Sequence, residues 1–274
     1  MLDYGAPGLA EEIARAEVPA RAVSLWWLGQ ASFALKGAGA TIYIDPYLAV
    51  SPRRLSPPPF PPDAVSGADL ILLTHDHLDH IDPSALPGIA AASPAARFVA
   101  PRPHLRRVAA LIGSVERVVP ADADVPLRLL LPAGEVAIDP VPAAHETLDP
   151  TPEGYGFLGY TIRLGSIAVH HAGDTTPYPG QIERVRAHAV DVALLPINGR
   201  DVYRTSRGVI GNMDYREAAE FAHAIGALVV VPMHYGMFAG NTVPPGHFVS
   251  LAAEMFPDLN VHIMGRFGRY TYLR

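Results

Sequence analysis

The chain has 274 residues, of which 49% are hydrophobic and 18% charged, so it is long enough to bury a large core and too apolar to be intrinsically disordered. A net charge of −6 with no basic run argues against a general nucleic-acid binder. The absence of cysteine excludes disulfides, thiol nucleophiles, thiolate metal sites and iron–sulfur clusters, and fits a reducing compartment, so the cytoplasm is the expected location.

In chain order, Leu9, Ile13 and Ala16 give the first 22 residues an amphipathic helical pattern. Before them, Met1-Leu2-Asp3-Tyr4 shows no basic region leading into an apolar stretch, so no secretory leader is expected. Short apolar runs bounded by Gly, Asp or Pro predict strands over 23–28, 32–36, 40–44 and 69–74. Leu70 to Leu73 is continuous rather than alternating, which predicts a strand covered on both faces. The proline-rich stretch 46–67 reads as a surface loop near the mouth of any site.

Helical spacing recurs at Leu105, Val108, Ala109 and Ile112, at Ala218, Phe221, Ala222 and Ile225, and at Phe248, Leu251, Ala252 and Met255. Asp214 and Glu217 have the spacing of a capping-box variant before the second of these. Further strands are predicted over 115–119, 127–131, 135–139, 157–164, 166–170, 191–195, 228–232 and 261–264. No apolar run approaches the roughly 18 residues of a membrane span. Strands and helices alternate throughout, which predicts one α/β domain over residues 1–274 with helices outside the sheets.

The densest chemistry is Thr74-His75-Asp76-His77-Leu78-Asp79-His80, directly after the buried strand. His75 and His77 point the same way in an extended segment, and Asp79 and His80 follow where the chain must turn. Imidazoles and carboxylates converging from a rigid strand end are what a divalent cation requires. One segment cannot complete two metal shells, so other ligands must come from elsewhere. His145, Asp174 and His234 each follow a strand-like run with small residues nearby. Taken singly, each is an ordinary loop or core polar residue; beside residues 75–80 they become ligand candidates.

These residues resemble the metallo-β-lactamase fold hydrolases, whose signature is HxHxDH followed by a distant His, Asp and His. The resemblance implies an αββα sandwich of two mixed sheets with the metals at one edge. It implies two divalent cations, Mn²⁺ or Zn²⁺: one on His75, His77 and His145, the other on Asp79, His80 and His234, with Asp174 bridging. It also implies that the pair ionises a water near neutral pH and that Asp79 both coordinates and relays a proton. Asp45, by resemblance, orients a ligand histidine from beneath, although a strand-end turn before Pro46 also accounts for it; Asp76 is expected in a similar supporting role.

The segments LWWLGQASF (25–33), DPYL (45–48), PINGRD (196–201), GNM (211–213) and HYGMF (234–238) are similar to the ascorbate-6-phosphate lactonase group. That implies hydrolysis of a phosphorylated sugar-acid lactone; the same centre also suits a phosphodiesterase, phospholipase D-like or nuclease, or an acyl-lactone hydrolase. Asn198, Arg200, Arg204 and Arg207 are the candidates to hold an anionic small-molecule substrate, since Arg suits phosphate, although a solvated or oligomer-contact loop fits them equally. A homo-oligomer is expected by analogy. His170, His171, His104, His188, His223 and His262 read as packing or hydrogen-bonded positions, and His247 as a loop or helix start.

Overall fold

Residues 4–274 are described by the computed structural model; Met1 to Asp3, where no secretory leader was expected, lie outside them. The first half runs α1 (Leu9–Arg15), β1 (Ala22–Gly29), β2 (Ser32–Gly37), β3 (Ala40–Ile44), β4 (Leu70–Leu72), α2 (Leu86–Ala92), β5 (Arg97–Pro101), α3 (Leu105–Ile112) and β6 (Val118–Ala121). The second runs β7 (Leu127–Leu131), β8 (Gly134–Pro142), β9 (Leu158–Leu164), β10 (Ile167–His171), α4 (Gln181–Arg186), β11 (Val192–Pro196), α5 (Val202–Thr205), α6 (Tyr215–Ile225), β12 (Val229–Met233), α7 (Pro245–Met255) and β13 (Asn260–Val261). The last strand, β14 (Arg269–Leu273), returns to the edge of the first sheet beside β1.

The two sheets have seven strands each, in the orders β14-β1-β2-β3-β4-β5-β6 and β13-β12-β11-β10-β9-β8-β7. Both are mixed: β3 to β6 and β10 to β13 pair in parallel, and the remaining neighbours are antiparallel. The sheets face each other with helices outside, the αββα sandwich that the resemblance implied. β4 shows why its run is continuously apolar. Leu70 and Leu72 join the core between the sheets, while Ile71 and Leu73 join the core under α1, α2 and α3. On the other side, α6 and α7 bury Phe221, Ile225 and Phe248 against the second sheet. Asp214 and Glu217 do form the capping box of α6, and Gly226 ends it at φ +74°.

Several elements differ from the pattern reading. Strands β5 and β14 were not anticipated: β5 is a short buried run ending in Pro101, and β14 is an edge strand whose Arg and Tyr side chains stay exposed or half-buried. The strand expected at 115–119 lies at Val118–Ala121, with Val115 78% exposed. β4 stops at Leu72, with the Leu73 amide still bonded to the Val99 carbonyl, and residues 74–80 then wrap around the site. Among the described residues, no helix is long and apolar enough to cross a membrane.

The N-terminal segment is part of the core. Leu9 and Ile13 are buried, and Trp26 Nε1 donates to Glu12 Oε1 at 2.8 Å. Lys36, the only lysine, donates from Nζ to the carbonyls of Ile13 and Ala14 at the C-terminal end of α1 (3.0 and 2.7 Å). The Ile13→Ala variant should therefore lose about 2–4 kcal/mol of stability in urea unfolding, with unchanged metal content.

Candidate metal centre

The carboxyl ends of β4, β8, β10 and β12 meet at one edge of the sandwich and deliver residues 75–80, His145, Asp174 and His234, the place where open α/β sheets bind ligands. Cross-sheet bonds fix the edge. The Leu158 amide donates to the Thr74 carbonyl at 3.0 Å, and the Tyr160 hydroxyl donates to the Leu73 carbonyl at 2.7 Å. Gly173, just before Asp174, has φ +64° and lies where a side chain would strike the Leu158 carbonyl. Gln30, Asp45 and His234 are non-glycine residues at φ +54°, +45° and +62°, and all three surround the centre.

Seven side chains converge here. His75 Nε2 lies 3.0 Å from His77 Nδ1, and His145 Nε2 lies 3.3 Å from the same His77 nitrogen. Asp174 Oδ2 lies 2.9 Å from His234 Nε2, 3.6 Å from His80 Nε2 and 3.7 Å from His145 Nε2. Asp79 Oδ2 is 3.9 Å from His80 Nε2 and 4.0 Å from His234 Nε2. Potential ligand atoms thus fall into three groups, His75–His77–His145, His75–His80–Asp174 and Asp79–His80–His234, and Asp174 faces histidines of both the first and the last.

Partners behind the rings set which nitrogen faces inward. His80 Nδ1 sits 2.7 Å from Asp45 Oδ2, which also accepts from the Thr74 hydroxyl at 2.6 Å, while Asp45 Oδ1 accepts from the Thr74 amide at 2.8 Å. His80 Nδ1 therefore carries a proton and donates it to Asp45, which turns Nε2 toward the centre. His75 Nδ1 likewise faces the Thr74 hydroxyl at 3.0 Å. His77 is turned the other way: its Nε2 meets Glu146 Oε1 at 3.0 Å, so Nδ1 points inward. Gln30 Nε2 donates to Asp79 Oδ2 at 3.2 Å and lies against the His234 ring.

This donor set suits cations. His80 Nε2 and Asp174 Oδ1 are buried and have no hydrogen-bond partner, which is costly for polar groups unless a ligand meets them. Burial pushes His75 well below the usual imidazole range and His145 down to about 4, so both offer lone pairs. Burial opposes charge on His80, yet Asp174 and Asp45 raise it well above its ordinary value. Burial would also raise Asp174, but His234 and His80 hold it well below the carboxylate range. All seven donors are nitrogen or oxygen, the set expected for Zn²⁺, Mn²⁺ or Fe.

The centre opens on one side only. The side chains of His75, His80, His145, His234 and Asp174 are at most 4% exposed, against 33% for His77 and 23% for Asp79. That side is the floor of a cleft of about 1100 Å³. The proline-rich loop supplies one wall with Tyr47 and residues 51–55, and residues 208–210 with Phe238, Ala239 and Asn241 supply another.

Other sequence-derived candidates lie elsewhere. Asp76 does not support a site histidine: its carboxylate faces Arg107 Nη1 at 3.5 Å, and it is half-exposed. None of Arg200, Arg204 and Arg207 lines the cleft. Arg200 is engaged by both oxygens of Glu217 (2.6 and 2.7 Å), and Arg204 by Asp201 at 2.6 Å. Arg207 stacks on Tyr203, 3.6 Å from its ring centre. Asn198 is buried one layer behind the cleft, against Asn241. The arginines that do line the cleft are Arg53 and Arg54, and sequence reasoning missed them. It also missed Gln30, Thr74, Glu146 and Asn241, although Thr74 and Glu146 each adjoin a ligand in the chain. His170 bonds the Thr161 hydroxyl at 2.9 Å, and His171 donates to the Ala31 carbonyl at 2.8 Å, both away from the centre.

Residues 40–235 match the family described as the beta-lactamase superfamily domain. A UPF0173 metal-dependent hydrolase of Hyperthermus butylicus is 32% identical over 241 residues, covering 87% of this chain and 94% of the relative. Its counterpart from Caldivirga maquilingensis is 30% identical over 240 residues, covering 88% and 94%. The solved structure of a metallo hydrolase from the hyperthermophilic archaeon Ignicoccus hospitalis superposes with a TM-score of 0.70 at 26% identity, covering 92% of this chain and 99% of the other.

If Asp45 orients His80, Asp45→Asn should selectively weaken the half of the centre formed by Asp79, His80 and His234. Titration of zinc against a competing chelator should show one cation bound as in the wild type and the other about 10- to 100-fold more weakly. Equal, unchanged affinities would show that His80 needs no such support.

Proposed function

This chain belongs to the beta-lactamase superfamily and is a metal-dependent hydrolase, and from that premise we propose that it opens lactones of small, anionic sugar-acid type. The observation that carries the reading is the set of seven converging donors at the floor of a cleft sized for a small molecule. In this reading His75, His77 and His145 hold one cation, Asp79, His80 and His234 the other, and Asp174 serves both. When bound, such a pair, Mn²⁺ or Zn²⁺, supplies Lewis acidity and a water acidified toward neutral pH.

The chain's own residues do the rest. Asp79 is the partly exposed carboxylate of the centre and is steadied by Gln30, so it is placed to hold and pass a proton at the cleft floor. Leu55, Leu78, Val209, Ile210 and Phe238 give the walls an apolar character that excludes water from a bound ring. Arg53 lines the mouth, and among the described residues its guanidinium has no carboxylate partner within 4.0 Å, so it takes the substrate's phosphate or carboxylate in place of Arg200, Arg204 and Arg207. A phosphodiesterase is the second reading, since the same centre suits phosphorus. The net charge of −6 speaks against nucleic acid as its substrate. The proposal extends to a homo-oligomer in the cytoplasm.

Protein reconstituted with Mn²⁺ or Zn²⁺ should hydrolyse members of a panel of phosphorylated and plain lactones, and chelation or His145→Ala should abolish that turnover. Cleavage of bis-p-nitrophenyl phosphate with no lactone turnover would select the second reading. With an anionic lactone, Arg53→Gln should raise KM about 2- to 10-fold and leave kcat unchanged, while a neutral lactone should be indifferent to it.

A further inference from the structure

The INGRD and GNM segments stay outside the cleft, yet they build a hydrogen-bonded unit behind it. Residues 198–200 pair with 211–214: the Gly199 amide donates to the Met213 carbonyl at 2.9 Å, and Asn198 bridges Asp214. Gly211 is required there, because a side chain would collide with the Gly199 carbonyl and Arg200. Three amides then run outward in series. Asn212 Nδ2 donates to Asn198 Oδ1 at 3.1 Å, and Asn198 Nδ2 donates to Asn241 Oδ1 at 2.8 Å. Arg204 adds a second donor to the same Asn241 oxygen at 3.2 Å, and donates to the Asn198 carbonyl at 2.8 Å.

The direction of this chain of amides is set by chemistry. A guanidinium only donates, so the Asn241 atom that faces Arg204 must be its oxygen. With Oδ1 held by two donors, the Asn241 NH2 group is turned away from the unit. It has no protein acceptor among the described residues, and Asn241 lines the cleft together with Asp79, His145, Asp174 and His234.

We propose that Asn241 is the substrate-orienting donor of this cleft: its Nδ2 hydrogens meet a carbonyl, carboxylate or phosphoryl oxygen of the ligand, with Arg204 and Asn198 as positioning residues that prevent the amide from flipping. The inference rests on reading the cleft as the substrate site. It gives the buried Asn198 and the paired Arg204 a function one step removed from the ligand. It also restricts the ligand, since the group beside Asn241 must accept a hydrogen bond; a substrate presenting only a donor there would leave two donors face to face.

Asn241→Asp separates this role from a structural one. The aspartate keeps an oxygen for Arg204 and Asn198, so the contacts that hold the loop survive, but the NH2 donor becomes an acceptor. The probe is inorganic phosphate, titrated calorimetrically into the zinc-loaded protein. Ala239→Asp, at an exposed position on the same cleft wall, is the control for added charge. Asn241→Asp should bind phosphate about 10-fold or more weakly with an unchanged or raised melting temperature, and Ala239→Asp should lose less than threefold. Equal losses in the two variants, an unchanged affinity in Asn241→Asp, or no phosphate binding by the zinc-loaded wild type would overturn the proposal. Zinc content is measured on the same samples, so failure to hold cations, which would count against the reading of the centre itself, is told apart from failure at Asn241.

Discussion

Five imidazoles and two carboxylates are forced into a space where several of their lone pairs point at one another. Three ring nitrogens sit within 3.0–3.3 Å of their neighbours along the chain His75–His77–His145. Ring nitrogens that face one another with their lone pairs at such separations repel unless a proton or a cation lies between them. The arrangement suits a site built for cations, and much of the local structure serves to hold it. The hydrogen bonds from His80 to Asp45 and from Thr74 to Asp45 are wholly buried, and they tie the first sheet to the motif that follows β4. The Leu158 and Tyr160 bonds tie that motif to the second sheet.

Backbone geometry bears a share of this constraint. Left-handed conformations at Gln30, Asp45 and His234 cost roughly 1–3 kcal/mol each for residues with a Cβ. They occur at the strand exits where the side chain must turn sharply into the centre. His171 helps by gripping the Ala31 carbonyl, which steadies the turn that presents Gln30. The same edge also explains the asymmetry of exposure: the second sheet and Phe157 cover the rings of His75 and His145, so the centre is most accessible from the cleft at His77 and Asp79. Substrate access and metal retention thus follow from one packing arrangement.

How much of this could be read from the residues alone depends on locality. The 75–80 motif is legible because its spacing and the buried run before it are contiguous, and the strand-end positions of His145, Asp174 and His234 are visible in the apolar runs that precede them. The arginine loop misleads for the opposite reason. Glu217 lies 17 residues from Arg200, and nothing in the local pattern shows that it consumes that guanidinium. Asp76 has the right neighbours in sequence but alternates to the outer side, toward Arg107. Gln30 and Asn241 carry no periodicity that would mark them; each acts through an amide whose partners come from distant segments. The cleft arginines are hidden in a proline-rich loop whose course depends on pairing with residues 237–238, as in the Leu55 amide bond to the Met237 carbonyl.

If two cations share this edge of the sandwich, crystals equilibrated with zinc and measured at the zinc absorption edge should show two anomalous peaks per chain. One should lie about 2.0–2.2 Å from His75 Nε2, His77 Nδ1 and His145 Nε2, the other at the same distance from Asp79, His80 Nε2 and His234 Nε2, with Asp174 reaching both. A single peak, peaks away from these atoms, or none at saturating zinc would contradict a shared pair.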